Sequence, residues 1–277
     1  MFIDRAQKSK EEAGAGWTRA LKPNPMQELI QRLLSYLPGA SRAAPKVTVL
    51  CYHGIQPLAE PGGLAPFLVS PENFESQLDT LLAAGYSFIG PADFLAFHRG
   101  QKIFPPKTIL LTFDDGFADL ESFVLPRLLA RNLPAIAFVV TERLGQTNLW
   151  DVERGAPAVP LLDVEGLRRI AAQGMAIAAH TRTHPRLRGL DDEALDAEIA
   201  GSENDLQRLG FPTLGLFAYP FGANDRRVRN GAKRSGMAIG FTIKAGSARA
   251  RGNAFSVPRI MVAGTDDAAT LMRRITN

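Results

Sequence analysis

Two short stretches of this chain hold side chains able to do hydrolytic chemistry. Asp114-Asp115-Gly116 places two carboxylates side by side, and His180-Thr181-Arg182-Thr183-His184 places two imidazoles four residues apart. Each has a plain structural explanation when taken alone. An Asp-Asp-Gly run makes a turn, or lets Asp115 cap a helix starting near Phe117. A pair of histidines before a proline, here Pro185, is more often surface than ligand. The combination reads differently. Adjacent carboxylates repel unless something uses their charge. One carboxylate with two imidazoles is the donor set of an open two-His-one-carboxylate site, which suits Zn²⁺ or a related divalent ion engaged in hydrolysis.

Those residues must be brought together by the elements around them. Short β-rich runs at Val47–Tyr52, Tyr86–Ile89, Thr108–Phe113, Ala135–Val140, Met175–Ala179, Leu216–Tyr219, Ala238–Thr242 and Ser256–Ile260 alternate with helical patterns. The helical stretches are Phe74–Ala84, started by Ser70-Pro71-Glu72-Asn73, then Pro91–Phe97, Leu120–Arg131, Val164–Gln173, Asp191–Leu209, Asp225–Ser235 and Ala268–Ile275. Thr108–Phe113 is apolar throughout, as a strand buried on both faces of a parallel sheet must be. Repeated βα alternation without hairpin signals predicts an α/β fold, a barrel or a doubly wound sheet. Functional side chains of such folds lie just past the C-terminal strand ends. There stand His53, Asp114-Asp115, His180 to His184, Tyr219-Pro220-Phe221-Gly222 and Arg259, so three of the four histidines and the single Asp-Asp-Gly share one rim. His98 reads as a helix C-terminal residue without a role.

Composition excludes other classes. The 277 residues are 45% hydrophobic and 22% charged, an ordinary globular balance with material for one sizeable core. The net charge of +4 comes from scattered basic residues with no interleaved aromatics, so no nucleic-acid groove is expected. Cys51 is the only cysteine, which rules out an intramolecular disulfide, and its apolar surroundings mark a core residue over a nucleophile. Residues 1–45 read as a leader, and 46–277 as the catalytic domain. Within the leader, Met26, Leu29, Ile30, Leu33, Leu34 and Leu37 predict an amphipathic helix over residues 25–37. Such a helix docks on the domain or lies on a membrane surface, and its sparse positive charge favours docking. The opening Met1-Phe2-Ile3-Asp4 turns polar without an apolar signal region. A cytoplasmic location is therefore expected, with peripheral contact at the inner membrane left open by the helix.

Thr112-Phe113-Asp114-Asp115-Gly116, the His180–His184 stretch and Tyr219-Pro220-Phe221-Gly222 together resemble the polysaccharide deacetylases, the NodB-homology group also called carbohydrate esterase family 4. The resemblance spans residues 45–265. It implies a distorted (β/α) barrel, a divalent metal that is usually zinc, and removal of N- or O-acetyl groups from glycans. It makes Asp114 the general base, gives Asp115, His180 and His184 to the metal, and assigns the Phe221 backbone N–H to the oxyanion. Tyr219 then lines the pocket or packs beneath it. A metal lowers the pKa of water from 15.7 to about 7, and a carboxylate beside it can take the proton.

Two departures from the family pattern bear on proton transfer. The arginine that usually opens the third motif is replaced by Ala218, and no histidine follows His184 to supply the late general acid. Two residues can stand in. His53 either protonates the leaving amine or only hydrogen-bonds within its loop. Arg259 either pairs with Asp114 or faces solvent. Trp150, before Asp151, either stacks on a sugar or belongs to a satellite core. The function expected is N-deacetylation of an amino-sugar glycan or lipid-linked sugar. The alternatives are a C–N hydrolase of small or cyclic amides and a non-catalytic carbohydrate-binding relative.

Overall fold

The computed structural model describes residues 45–57 and 63–276, so the helix expected over 25–37 lies outside the described residues. From Pro45 onward the chain forms one compact unit. Its centre is a curled sheet of nine strands among the described residues. The main path pairs β1 (Lys46–Tyr52), β5 (Thr108–Phe113), β6 (Ala135–Val139), β7 (Ala176–Ala179), β8 (Leu216–Ala218) and β9 (Ile239–Phe241), all parallel. β2 (Gly54–Ile55) and β3 (Leu68–Val69) pair as a separate parallel two-stranded sheet, the short β4 (Ser87–Phe88) pairs with the start of β5, and β10 (Ala248–Arg249) runs antiparallel to the start of β1. Residues 257–261 bridge the two ends of the path. Val257 bridges Phe241, while β11 (Ile260–Met261) pairs with Leu50 and Cys51. The result is a distorted (β/α) barrel, one of the two architectures the alternation left open and the one the family resemblance implied.

Strand alternation divides the core into two layers. Side chains two apart share a face. Ile109, Leu111 and Phe113 pack outward with Leu50, Tyr52, Ala137 and Phe217 against the helices. Leu110 faces inward with Val47, Val49, Phe138, Ala218 and Phe241. The outer layer is covered by α1 (Pro71–Ala83), a helical segment over Leu120–Ala130 (α3), α5 (Val164–Ala172), α6 (Asp192–Arg208), α7 (Arg226–Arg234) and α8 (Ala268–Thr276). The inner layer is closed by Phe94 and Phe97 from α2 (Pro91–His98). A short α4 covers Leu149–Val152. Each fully buried Leu or Phe contributes about 1.5–3 kcal/mol, so the alternation sets the strand register firmly.

Helix starts follow their capping residues. Ser70, Asp163, Asp191 and Asp225 each accept a hydrogen bond from the backbone N–H three residues on. Two expected elements differ. The Leu120–Arg131 helix opens with a π turn over Leu120–Val124, because Pro126 has no N–H to donate and its ring displaces the preceding carbonyl. The strand expected at Ser256–Ile260 is displaced to Ile260–Met261, since Pro258 cannot donate to a ladder. Arg259 therefore stands before its strand, below the rim.

Candidate active site

Alternation on the strands sends Leu110 and Thr112 inward, and the next residue in that series is Asp114. On β1 the same series runs Val47, Val49, Cys51, His53, and on β7 it ends on His180. Asp115 would point outward if the strand continued. Instead its backbone turns to φ 76°, a left-handed conformation that brings the carboxylate to the barrel mouth. Thr181, His184 and Phe221 also have positive φ, so backbone strain gathers in the loops around this mouth.

Asp115 Oδ1 lies 3.4 Å from His180 Nε2 and 3.3 Å from His184 Nε2. Neither contact is aligned as a hydrogen bond, and Oδ1 is buried without a donor. The three ligand atoms fall within 4.8 Å of one another and all three residues are buried. An orphaned carboxylate oxygen facing two imidazole nitrogens fits a divalent cation. His180 Nδ1–H donates to the Ala218 carbonyl at 2.8 Å, which turns the Nε2 lone pair toward Asp115. Burial alone would raise the Asp115 carboxyl, but the two imidazoles outweigh it and hold the group well below the usual carboxylate range. Burial pushes His184 down to about 4, leaving the neutral ligand form at neutral pH. For His180 burial is outweighed by the Asp115 and Asp114 carboxylates, which hold its imidazole above the ordinary value.

Arg259 clamps Asp114. Its Nη1 donates to Oδ1 at 2.7 Å and its Nη2 to Oδ2 at 2.6 Å, with both side chains nearly inaccessible to solvent. Two further donors go to Thr112 Oγ1 at 3.2 Å and the Thr242 carbonyl at 3.0 Å. Standing below the rim, the guanidinium reaches up through the barrel interior to the carboxylate. Cys51 Sγ donates to Asp114 Oδ2 at 3.4 Å from the same interior face. Burial would raise the Asp114 carboxyl; Arg259 and then His180 reverse that and hold it below its ordinary value.

The histidine loop is held from outside by α6. Glu198 accepts from the backbone N–H groups of Arg182 (2.8 Å) and Thr183 (3.0 Å) and from Thr183 Oγ1 (2.6 Å). Trp150 is buried, its ring 4.3 Å from the His184 ring, so it packs on the candidate ligand and is not an exposed sugar platform. Phe221 meets the His184 ring edge-on at 4.6 Å. The left-handed Gly222 after it is required, because a Cβ there would collide with Ile243. Tyr219 borders the pocket, but its hydroxyl donates away from it, to the Phe255 carbonyl at 3.2 Å. It follows Phe217 on the outward face.

His53 is half-buried at the mouth, with Nδ1 unpartnered and its ring 5.1 Å from Phe67. Burial lowers its pKa. Its loop is tethered by the Ile55 N–H, which donates to Asp119. A pocket of about 130 Å³ joins His53, Asp114, Asp115, His180, His184 and Asp151 to an apolar wall of Leu64, Phe67 and Ile243. Burial and the Asp115 charge push Asp151 up to about 6. The structure thus brings His53, Asp114, Asp115, His180, His184 and Phe221 to one mouth, with Arg259 beneath it and the Tyr219 hydroxyl turned away. The sequence reading missed Glu198, which looks like any acidic residue on a polar helix. It also missed the inward aim of Cys51, which period-two alternation from His53 would have found.

Residues 101–240 match the family described as polysaccharide deacetylase. A poly-beta-1,6-N-acetyl-D-glucosamine N-deacetylase of Staphylococcus epidermidis is 25% identical over 206 residues, covering 71% of this chain and 68% of the relative. Among solved structures, the deacetylase PplD of Streptococcus pyogenes, in complex with acetate, superposes with a TM-score of 0.71 at 25% identity, over 84% of this chain and 99% of that one. IcaB from Ammonifex degensii gives the same TM-score at 22% identity, over 84% and 98%, and shares the fold.

Proposed function

The chain belongs to the polysaccharide deacetylase family, and on that premise we propose that it hydrolyses the N-acetyl group of an amino sugar in a glycan or glycoconjugate. The observation that carries the reading is the pairing of two buried sets at one mouth: the Asp115, His180, His184 cluster and the Asp114 carboxylate clamped by Arg259. Asp115, His180 and His184 would hold the ion, and the nitrogen-rich donor set favours zinc. A bound divalent ion polarises the amide carbonyl and brings water within reach of deprotonation near neutral pH.

The chain's own residues supply the rest. Beside its Arg259 and Cys51 bonds Asp114 keeps a free lone pair on Oδ1 and accepts the proton of the attacking water. Arg259 keeps that carboxylate ionised and fixed in direction. The Phe221 backbone N–H is assigned to the developing oxyanion, the role the family motif gives that position. The proton that Asp114 takes up has to reach the leaving amine, and His53, across the mouth, is assigned to relay it, the role for which no later histidine exists. His53→Ala should lower kcat by about 10²–10⁴ with zinc affinity unchanged, because His53 is not a ligand. Near-normal turnover would remove it from the mechanism.

The substrate class is supported by the Staphylococcus epidermidis relative, whose name specifies a β-1,6-linked N-acetylglucosamine polymer. No relative reported above favours cyclic amides or a pure binding role. The test is acetate release from β-1,6-linked N-acetylglucosamine oligomers by zinc-loaded protein, beside a cyclic amide control. Acetate release that disappears in Asp114→Asn and Asp115→Ala supports the assignment. Turnover of the cyclic amide alone, or no zinc binding, overturns it.

A further inference from the structure

Beside the metal ligands, the Phe221 ring carries two cations. The guanidinium carbon of Arg154 lies 4.4 Å from the ring centroid and that of Arg186 lies 4.6 Å from it. Both arginines are exposed, and among the described residues neither makes a side-chain hydrogen bond or an ion pair. Most other arginines near a helix end or barrel rim are matched, as Arg182 is by Glu142 and Asp205, Arg227 by Asp192 and Arg234 by Asp196. Asp151 acts on Arg154 through space, but no carboxylate pairs with either guanidinium, so the two like charges on one ring raise the local potential, a cost that an incoming anion removes. A guanidinium lying on an aromatic face satisfies its face and leaves its in-plane N–H edge free, and that edge is the one that recognises oxyanions as a fork.

Resting on the deacetylase reading above, we propose that Arg154 and Arg186 form a phosphate subsite, and that the substrate is an N-acetylated amino sugar carrying a phosphate ester. A carboxylate holds its two oxygens and their lone pairs in one plane, so two forks that do not share that plane cannot both pair with it well. A phosphate ester presents oxygens to two forks at once. Position sets where the phosphate must sit: the ring that holds both arginines also touches His184 at 4.6 Å. The anion therefore lies on the sugar being deacetylated or on its neighbour, not at a distant point of a polymer. The ester belongs either to a carrier-linked glycosyl phosphate or to a phosphodiester within a chain.

The test compares kcat/KM for acetate release by the zinc-loaded full chain on N-acetylglucosamine 1-phosphate, a 6-phosphodiester-linked oligomer, a uronate-containing oligomer and a neutral β-1,6 oligomer. At least one phosphate substrate should exceed the neutral one by about 10- to 100-fold, with the advantage shrinking as salt rises. Preference for either phosphate form supports the subsite and tells its source. In Arg154→Ala/Arg186→Ala the charged-to-neutral ratio should collapse toward one. Arg234→Ala, a remote surface arginine, should leave the ratio alone. A ratio near one in the native chain, a ratio that survives the double substitution, or a preference for the uronate overturns the proposal. Turnover of the neutral oligomer reports the deacetylase reading separately. Should nothing turn over, binding of N-acetylglucosamine 1-phosphate against N-acetylglucosamine to chelator-treated native and doubly substituted protein, by calorimetry, still decides the subsite: equal affinities refute it.

Discussion

Replacing Arg259 with methionine removes the clamp on Asp114 while keeping most of the buried volume. The native pair has hydrogen bonds of 2.7 and 2.6 Å, and its partners are 0% and 3% exposed. Removing one partner of such a pair costs about 3–5 kcal/mol if the other stays charged. Asp114 can escape that cost by taking up a proton, at about 1.36 kcal/mol per pH unit. The acid limb of kcat/KM should therefore climb by about 2–4 pH units, with partial recovery of turnover at high pH. The sign for stability follows. In the native chain Asp114 is held below its ordinary value, so its ionised form stabilises the fold at neutral pH and the benefit is lost as pH falls through the depressed value. In Arg259→Met burial dominates, the protonated form is preferred, and stability is lost as pH rises. The assay is acetate release between about pH 4 and pH 9, with thermal unfolding over the same range. The companion Arg259→Met/Asp114→Asn removes both charges and should recover most of the stability lost by the single substitution. An acid limb that stays in place with full activity would show that Arg259 neither sets the charge of Asp114 nor positions it.

Other expectations follow from the same geometry. Glu198→Gln loosens the three bonds that hold the histidine loop and should weaken zinc binding by about 10- to 100-fold, read by calorimetry; unchanged affinity would mean the loop is held elsewhere. Zinc at about a hundred times its Kd should add about 2.7 kcal/mol of stability to the native chain and none to His184→Ala, measured by denaturant unfolding. That gain should fade as the solution is acidified, with His180 protonating first because its imidazole is held above the ordinary range while His184 sits at about 4. Trp150→Ala empties the space against His184 and should destabilise the fold by about 3–5 kcal/mol; a loss under 1 kcal/mol, measured the same way, would place the ring outside the core.

The chain's order of residues already contained the βα alternation and the candidate metal-binding set. Hydrophobic period and Gly/Pro punctuation located the strands and helices to within a few residues, because burial on two faces of a parallel sheet demands long apolar runs that nothing else in the chain supplies. Placing Asp114, Asp115, His180 and His184 at strand ends needed only the rule that parallel strands present their C-terminal ends to one side. Three other features were decided by tertiary structure. Arg259 is separated from Asp114 by 145 residues, and only the closing of the sheet by residues 257–261 sets the guanidinium inside the barrel under the carboxylate. Trp150 and Tyr219 carry side chains equally suited to a sugar or a core, and packing against His184 and the outward strand face chose the core. Glu198, Arg154 and Arg186 look in sequence like any charged surface. What distinguishes them is the partner each one meets across the fold: a loop's N–H groups for Glu198, and a single aromatic ring for the two arginines. Local sequence determines which faces must be buried, whereas long-range contacts alone determine which charge faces which.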